Sequence, residues 1–253
     1  MADTAQLKYT YSLRLGDNAW ILSHRLSELC SNGPFLEEDL ALTNLALDLI
    51  GRAQGFLKYA AELEEKGRTA DDLAYRRNER QYYNNLLVEM PNGDFATTIA
   101  RQLYISVFEY YFFTALQNSK DETFAGLSAK TIKEVKYHMA HAADWVVRLG
   151  DGTEESHAKM QQALNELWMY TGELFEMDSV DEALMAEGIA VDLAALRPLW
   201  ESHIRKVMEE ATLEMPEGGY MQTGSRQGIH TEHLGHMLGE MQYLQRAYPD
   251  AKW

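Results

Sequence analysis

The stretch richest in chemistry-bearing residues is Lys133 to Trp145, "KEVKYHMAHAADW". At 3.6 residues per turn, Glu134, His138, His141 and Trp145 share one helical face. Bundle helices that build a di-iron centre carry a Glu and a His three positions apart, both turned inward. Three positions before His138 stands Val135, which has no donor atom, and three after Glu134 stands Tyr137. The His of such a motif is present and its carboxylate is not. What the remaining helices offer decides whether a metal can be held at all.

Polar residues at inward positions recur on three other long helical segments. From Leu7 to Ser31, with a weak point expected at Gly16, Asp17, Ile21, His24 and Glu28 share a face. That stripe reads first as a solvated face, with Glu28 as a candidate inward carboxylate. Asn32-Gly33-Pro34 ends this helix, and Glu37, Glu38 and Asp39 favour the start of the next. The second helix, Pro34 to about Lys66, points leucines in nearly all directions and is expected to be buried on most sides. Within it Asn44, Asp48 and Arg52 lie four apart, and Asp48 and Arg52 can pair at i, i+4. A third helix, Asp94 to Asn118, sets Glu109 among six aromatic rings from Tyr104 to Phe113. The fourth, Glu122 to Leu149, contains the opening stretch and stops at Gly150.

A di-iron bundle asks for a Glu from each of two helices and a Glu-x-x-His from each of the other two. The candidates are Glu28, Asp48, Glu109 and His138. One expected His falls on Gly51 and one expected carboxylate on Val135, so the set is incomplete. The plainer reading is a packed bundle with satisfied polar groups and no metal, in which Arg52 supplies a cation where the ions would have been. His24 and His141, with no evident partner, read as structural.

Further along, helices are expected over Leu73 to Val88, Glu155 to Met177, Val180 to Glu187 and Leu193 to Thr212. Glu214 to Gly235 holds five glycines and reads as an irregular loop. A last helix, capped by Thr231, runs to about Tyr248. Its "HTEHLGHM" start (His230, Thr231, Glu232, His233) could hold a surface metal but reads better as a docking element for a partner. No strand-like alternation occurs, so the chain is all-α, and residues 1–253 read as one domain.

Composition narrows the classes further. A net charge of −16 disfavours nucleic-acid phosphates. One cysteine, Cys30, allows no intrachain disulfide and fits a reducing cytoplasm. No apolar run reaches membrane-spanning length. Phosphate loops, dinucleotide fingerprints and nucleophile elbows are missing too.

"YSLRLGDNAWILSHRLSELCSNGP", "EEDLALTNLALDLIGRA", "NGDFATTIARQ", "KEVKYH" and "GIHTEHLGHMLGEMQYLQR" closely resemble the C subunits of bacterial phenylacetyl-CoA 1,2-epoxidases, in order and over nearly the full chain. The resemblance implies a ferritin-like four-helix bundle with additional C-terminal helices. It also implies a structural role beside a catalytic A subunit that carries the di-iron centre, with further small subunits in the complex. Electrons would come from a separate flavin and iron–sulfur reductase, and no cofactor is expected in this chain. On the family's pattern Glu28 matches the first-helix Glu and His138 the final His. Asp48 matches the second-helix carboxylate in one of two alignments, and Glu109 or Ser106 takes the third-helix position. Without its partner, the chain could form a homodimer. Two other classes remain on sequence grounds: a free-standing ferritin-like metalloprotein or oxidoreductase with a partial site, and a module that holds an acyl-CoA or other hydrophobic ligand.

Overall fold

Four long helices form the frame of the computed structural model, which describes residues 3–249 and 251. They are α1 (Thr4–Ser27), α2 (Leu36–Glu64), α5 (Phe95–Leu116) and α6 (Glu122–Gly150). Between them stand short α3 (Ala70–Tyr75) and α4 (Leu86–Glu89). After them come α7 (Glu154–Trp168), α8 (Ser179–Ala186), α9 (Leu193–Glu210), α10 (Glu232–Met241) and α11 (Tyr243–Ala247). Among the described residues there is no strand, and no helix is long and apolar enough to cross a membrane. The all-α, ferritin-like bundle with added C-terminal helices is the architecture expected from the sequence.

The helices are paired by short connections. α1 packs along α2, where the Ser12 hydroxyl donates to the Phe56 carbonyl at 2.7 Å and Gly16 lets Leu57 come close. Gly16 is therefore a contact point and no weakness: α1 runs through it unbroken. α5 packs along α6 and is the central helix, buried over most of its length. Its outer side meets α7 and α9, where Trp200 donates to the Tyr104 carbonyl (2.9 Å) and stacks on Trp168. The apolar core runs continuously through all four long helices and on into α7, α9 and α10.

Several expectations are corrected. Asp17, read as part of a solvated face, is fully buried and paired with Arg77. The continuous helix expected over Leu73 to Val88 is broken into α3, a 3-10 turn (Glu79–Gln81) and α4. Side chains capture its backbone donors: Tyr83 N–H donates to Asp17 (3.0 Å), Asn85 N–H to Asn18 (2.7 Å) and Leu86 N–H to Glu173 (2.9 Å). A helix cannot keep those groups for its own ladder. The helix expected to reach Met177 stops at Trp168, and a 3-10 turn (Gly172–Phe175) follows it. The last helix breaks at Gln242, whose side chain turns inward to the Arg77 carbonyl and the Tyr82 hydroxyl. Thr231 sits at the cap position of α10 without a side-chain capping bond. α2 is not buried on most sides, for Leu36 (70%), Leu40 (55%) and Leu47 (60%) are exposed.

Gly150 ends α6 for a reason other than a left-handed cap, since it is the last helical residue and its φ is not positive. A Cβ there would sit 2.4 Å from the Ala211 carbonyl oxygen. We therefore expect Gly150→Ala to cost about 1–3 kcal/mol by overpacking. Gly126, on the same helix with open space around it, should gain up to about 1 kcal/mol on substitution by Ala. Urea denaturation of the two variants checks the contrast.

Candidate functional site

Three of the four inward candidates, with Arg52, gather at the middle of the bundle. His138 is almost fully buried on α6, and its Nε2 lies 3.0 Å from Asp48 Oδ2 on α2. One turn further along α2, Arg52 has its side chain enclosed and places Nη1 2.7 Å from Glu109 Oε2 on α5. The guanidinium also faces the Phe113 ring, 5.2 Å from its centroid. The expected i, i+4 pairing of Asp48 with Arg52 is thus replaced by two cross-helix pairs. One links α2 to α6 and the other links α2 to α5.

The Arg52–Glu109 pair is close in charge-to-charge distance but poorly directed. None of the three guanidinium nitrogens has a hydrogen bond of good geometry, although all are buried. The contact is therefore mainly Coulombic, in an environment where both charges have lost their water. Glu134, a further polar group near this centre, has its pKa raised by burial; Arg52 pulls it down and Asp48 pushes it up.

Glu28 does not join them. It caps the end of α1 with its side chain 44% exposed, accepting from Arg25 (2.8 Å) and Asn92 (3.0 Å). Its physical role there is to answer cations: burial lowers the pKa of nearby Arg101 to about 9, with Arg25 adding to the shift and Glu28 opposing it. Ser106, the other reading of the third-helix position, donates back to the Gln102 carbonyl of its own helix at 2.5 Å. Val135 is fully buried among apolar side chains, and at Gly51 the space beyond the backbone is open.

These donors do not fit two irons. Among the described residues no three His, Cys, Asp or Glu side chains converge as a metal-binding group. A guanidinium occupies one side of Glu109, and His138 already engages the one nearby carboxylate on α2. His141, read as partnerless, has Glu38 Oε2 at 2.8 Å from its Nε2. Glu38 and Glu134 are the site residues that spacing alone does not single out as partners. The signal for Glu38 lies in its placement near the start of α2, opposite the end of an antiparallel α6. His24 packs edge-on against Trp20, and burial lowers its pKa to about 4.

The C-terminal histidine cluster faces inward in part. His230 Nδ1 lies 2.9 Å from Glu89 and Nε2 lies 2.8 Å from the Tyr82 carbonyl, with both side chains enclosed. Both partners accept only, so both ring nitrogens donate and the ring is an imidazolium. Thr231 N–H also donates to Glu89, at 2.6 Å. His230 and Thr231 thus dock this chain's own C-terminal segment onto α4, which corrects the reading of them as contacts for another chain. Glu232 is exposed and His233 half-buried.

Residues 1–253 match the model of a family described as "Phenylacetic acid catabolic protein". The chain belongs to the phenylacetic acid catabolic protein family. It is 53% identical over 243 residues to the Escherichia coli (strain K12) protein named as the C subunit of 1,2-phenylacetyl-CoA epoxidase, covering 96% of this chain and 98% of that one. The resemblance read from the sequence is borne out at the level of the family and of this relative.

Two outcomes follow from the paired charges. Arg52→Met leaves Glu109 buried without a cation and is expected to cost about 3–5 kcal/mol, and adding Glu109→Leu should recover most of it. Chemical denaturation of the single and double variants measures both. For His230, burial lowers the pKa, but the Glu89 carboxylate more than offsets this and holds it above 6.5. Its contribution to stability is therefore complete below the unfolded value and is lost as pH rises through the folded one. Urea midpoints should fall over that window in the native protein, and this His230-dependent fall should be absent in His230→Gln.

Proposed function

We propose that this chain is the non-catalytic structural subunit of a cytoplasmic multicomponent phenylacetyl-CoA 1,2-epoxidase. In this reading it supports a catalytic A subunit that carries the di-iron centre. The observation that carries the reading is the Arg52–Glu109 pair, a fixed cation between helices where a sister bundle would hold metal. The extensive identity to a protein named as the C subunit of such an epoxidase supports the assignment of the complex.

In this reading the chain holds no iron of its own, and its part in the reaction is mechanical. A ferritin-type bundle works only while its four helices keep their relative positions, because ligands come from all four. A second bundle laid against it buries helix faces that would otherwise splay or aggregate. Obligate helical interfaces of this kind commonly bury more than about 2,000 Å². Here the internal ion pairs make the supporting bundle self-sufficient: Asp48–His138 and Arg52–Glu109 tie α2 to α6 and α5 without a metal.

Producing the catalytic subunit with and without this chain tests the reading. The subunit produced alone should lose most of its soluble yield, and its specific epoxidase activity should fall by about tenfold or more, a loss of at least ~1.4 kcal/mol in effective stabilisation. Undiminished activity of the catalytic subunit by itself would contradict the proposal.

A further inference from the structure

The outer face of α2 is unusual for a surface that meets water. Down its centre line run Leu36, Leu40, Asn44, Leu47, Gly51 and Gln54, all exposed and all uncharged. Beside it on α6 stands Tyr137, also exposed. Solvent-facing helix stripes in an acidic protein are ordinarily charged, and a contiguous apolar patch of this kind marks a contact surface. A substituent at Gly51 would meet nothing, so a partner's side chain can approach the α2 backbone closely there.

Charge is sorted along the same face. α2 and α6 run antiparallel, because Phe35 meets Trp145 (5.7 Å between ring centroids), Asp48 meets His138, and Gly55 lies against Leu127. At the end where α2 begins lie Glu37 and Asp39, while Arg148 is folded onto the Trp145 ring. At the opposite end stand Lys58 on α2 and Lys130 and Lys133 on α6, all three exposed. An uncharged apolar middle with an acidic end and a basic end is matched by a face of the same layout turned end for end. Carboxylates of the partner then oppose the lysines, and its cations oppose Glu37 and Asp39.

We infer that the α2–α6 face is the docking surface for the iron-bearing sister subunit, packed bundle against bundle with its equivalent helix pair reversed. The inference rests on the subunit role proposed above and adds the face and its orientation. The size suits it: a 29-residue helix is about 43 Å long. Two helices side by side then present roughly 43 by 20 Å, or ~860 Å², close to one partner's share of a standard interface. A short peptide would cover one groove of this face and leave the charged ends unmet.

The test is co-purification of this chain with the co-expressed sister subunit, using native protein, Leu40→Asp with Leu47→Asp, and the control Leu199→Asp on exposed α9. Circular dichroism and the urea midpoint confirm that each variant folds. The native chain and the control should retain the sister subunit, and the double variant should lose it by about tenfold or more. A third variant with Lys130→Glu and Lys133→Glu should weaken retention in proportion to falling salt screening, and raised salt should narrow its difference from native protein. Full retention by the folded double variant overturns the choice of face while leaving the subunit role standing. If the native chain retains no sister subunit, both fall. A dimer of this chain alone that is split by the double variant would assign the face to a second copy and overturn the inference as well.

Discussion

A guanidinium sealed inside a helical bundle, facing one carboxylate across 2.7 Å, constrains everything built around it. Bringing either charge out of water costs several kcal/mol, and only the other charge offsets it. Neither residue can therefore change by itself without leaving a bare charge in the core. α2 and α5 are held at the separation the pair requires, and the neighbouring Asp48–His138 contact sets α6 against α2 in the same way. A metal-binding bundle meets its inward carboxylates with divalent or trivalent ions. This one meets Glu109 with a side chain that is charged at every physiological pH.

The same device recurs away from the centre and explains the irregular parts of the chain. Asp17 in α1 holds Arg77 and the Tyr83 amide. Glu89 gathers His230, Asn84 and the Thr231 amide. Asp181 receives Arg14 and Arg226, joining α1, α8 and the glycine-rich loop. Each buried carboxylate draws in donors from distant segments, and the backbone between those donors gives up helical structure to comply. Loops over residues 76–85 and 214–231 are thus shaped by acids at their centres as much as by their glycines.

This division explains what can be read in the linear chain. The helices α1, α2, α5 and α6 show in apolar periodicity because burial repeats with the turn of the helix. The loop around Gly218, Gly219, Gly224 and Gly228 shows because those glycines take positive φ. Cross-chain pairs such as Asp17–Arg77 leave no local trace, so Asp17 looks like a surface residue and the break after Tyr75 looks like continuing helix. At the candidate centre, Asp48, Arg52, Glu109 and His138 are recognisable as polar groups in apolar surroundings. Their pairing is not, because i, i+4 spacing proposes Asp48 with Arg52 while the bundle offers each a nearer partner on another helix. Glu28 shows the converse: its place on the stripe is right, but α1 ends there and the side chain turns to Arg25.

Anomalous diffraction at the iron edge, from crystals of this chain assembled with its iron-bearing partner, addresses the central claim most directly. Iron peaks should be confined to the partner, with protein density alone bridging Arg52 and Glu109. An iron peak among Asp48, Arg52, Glu109 and His138 would contradict it.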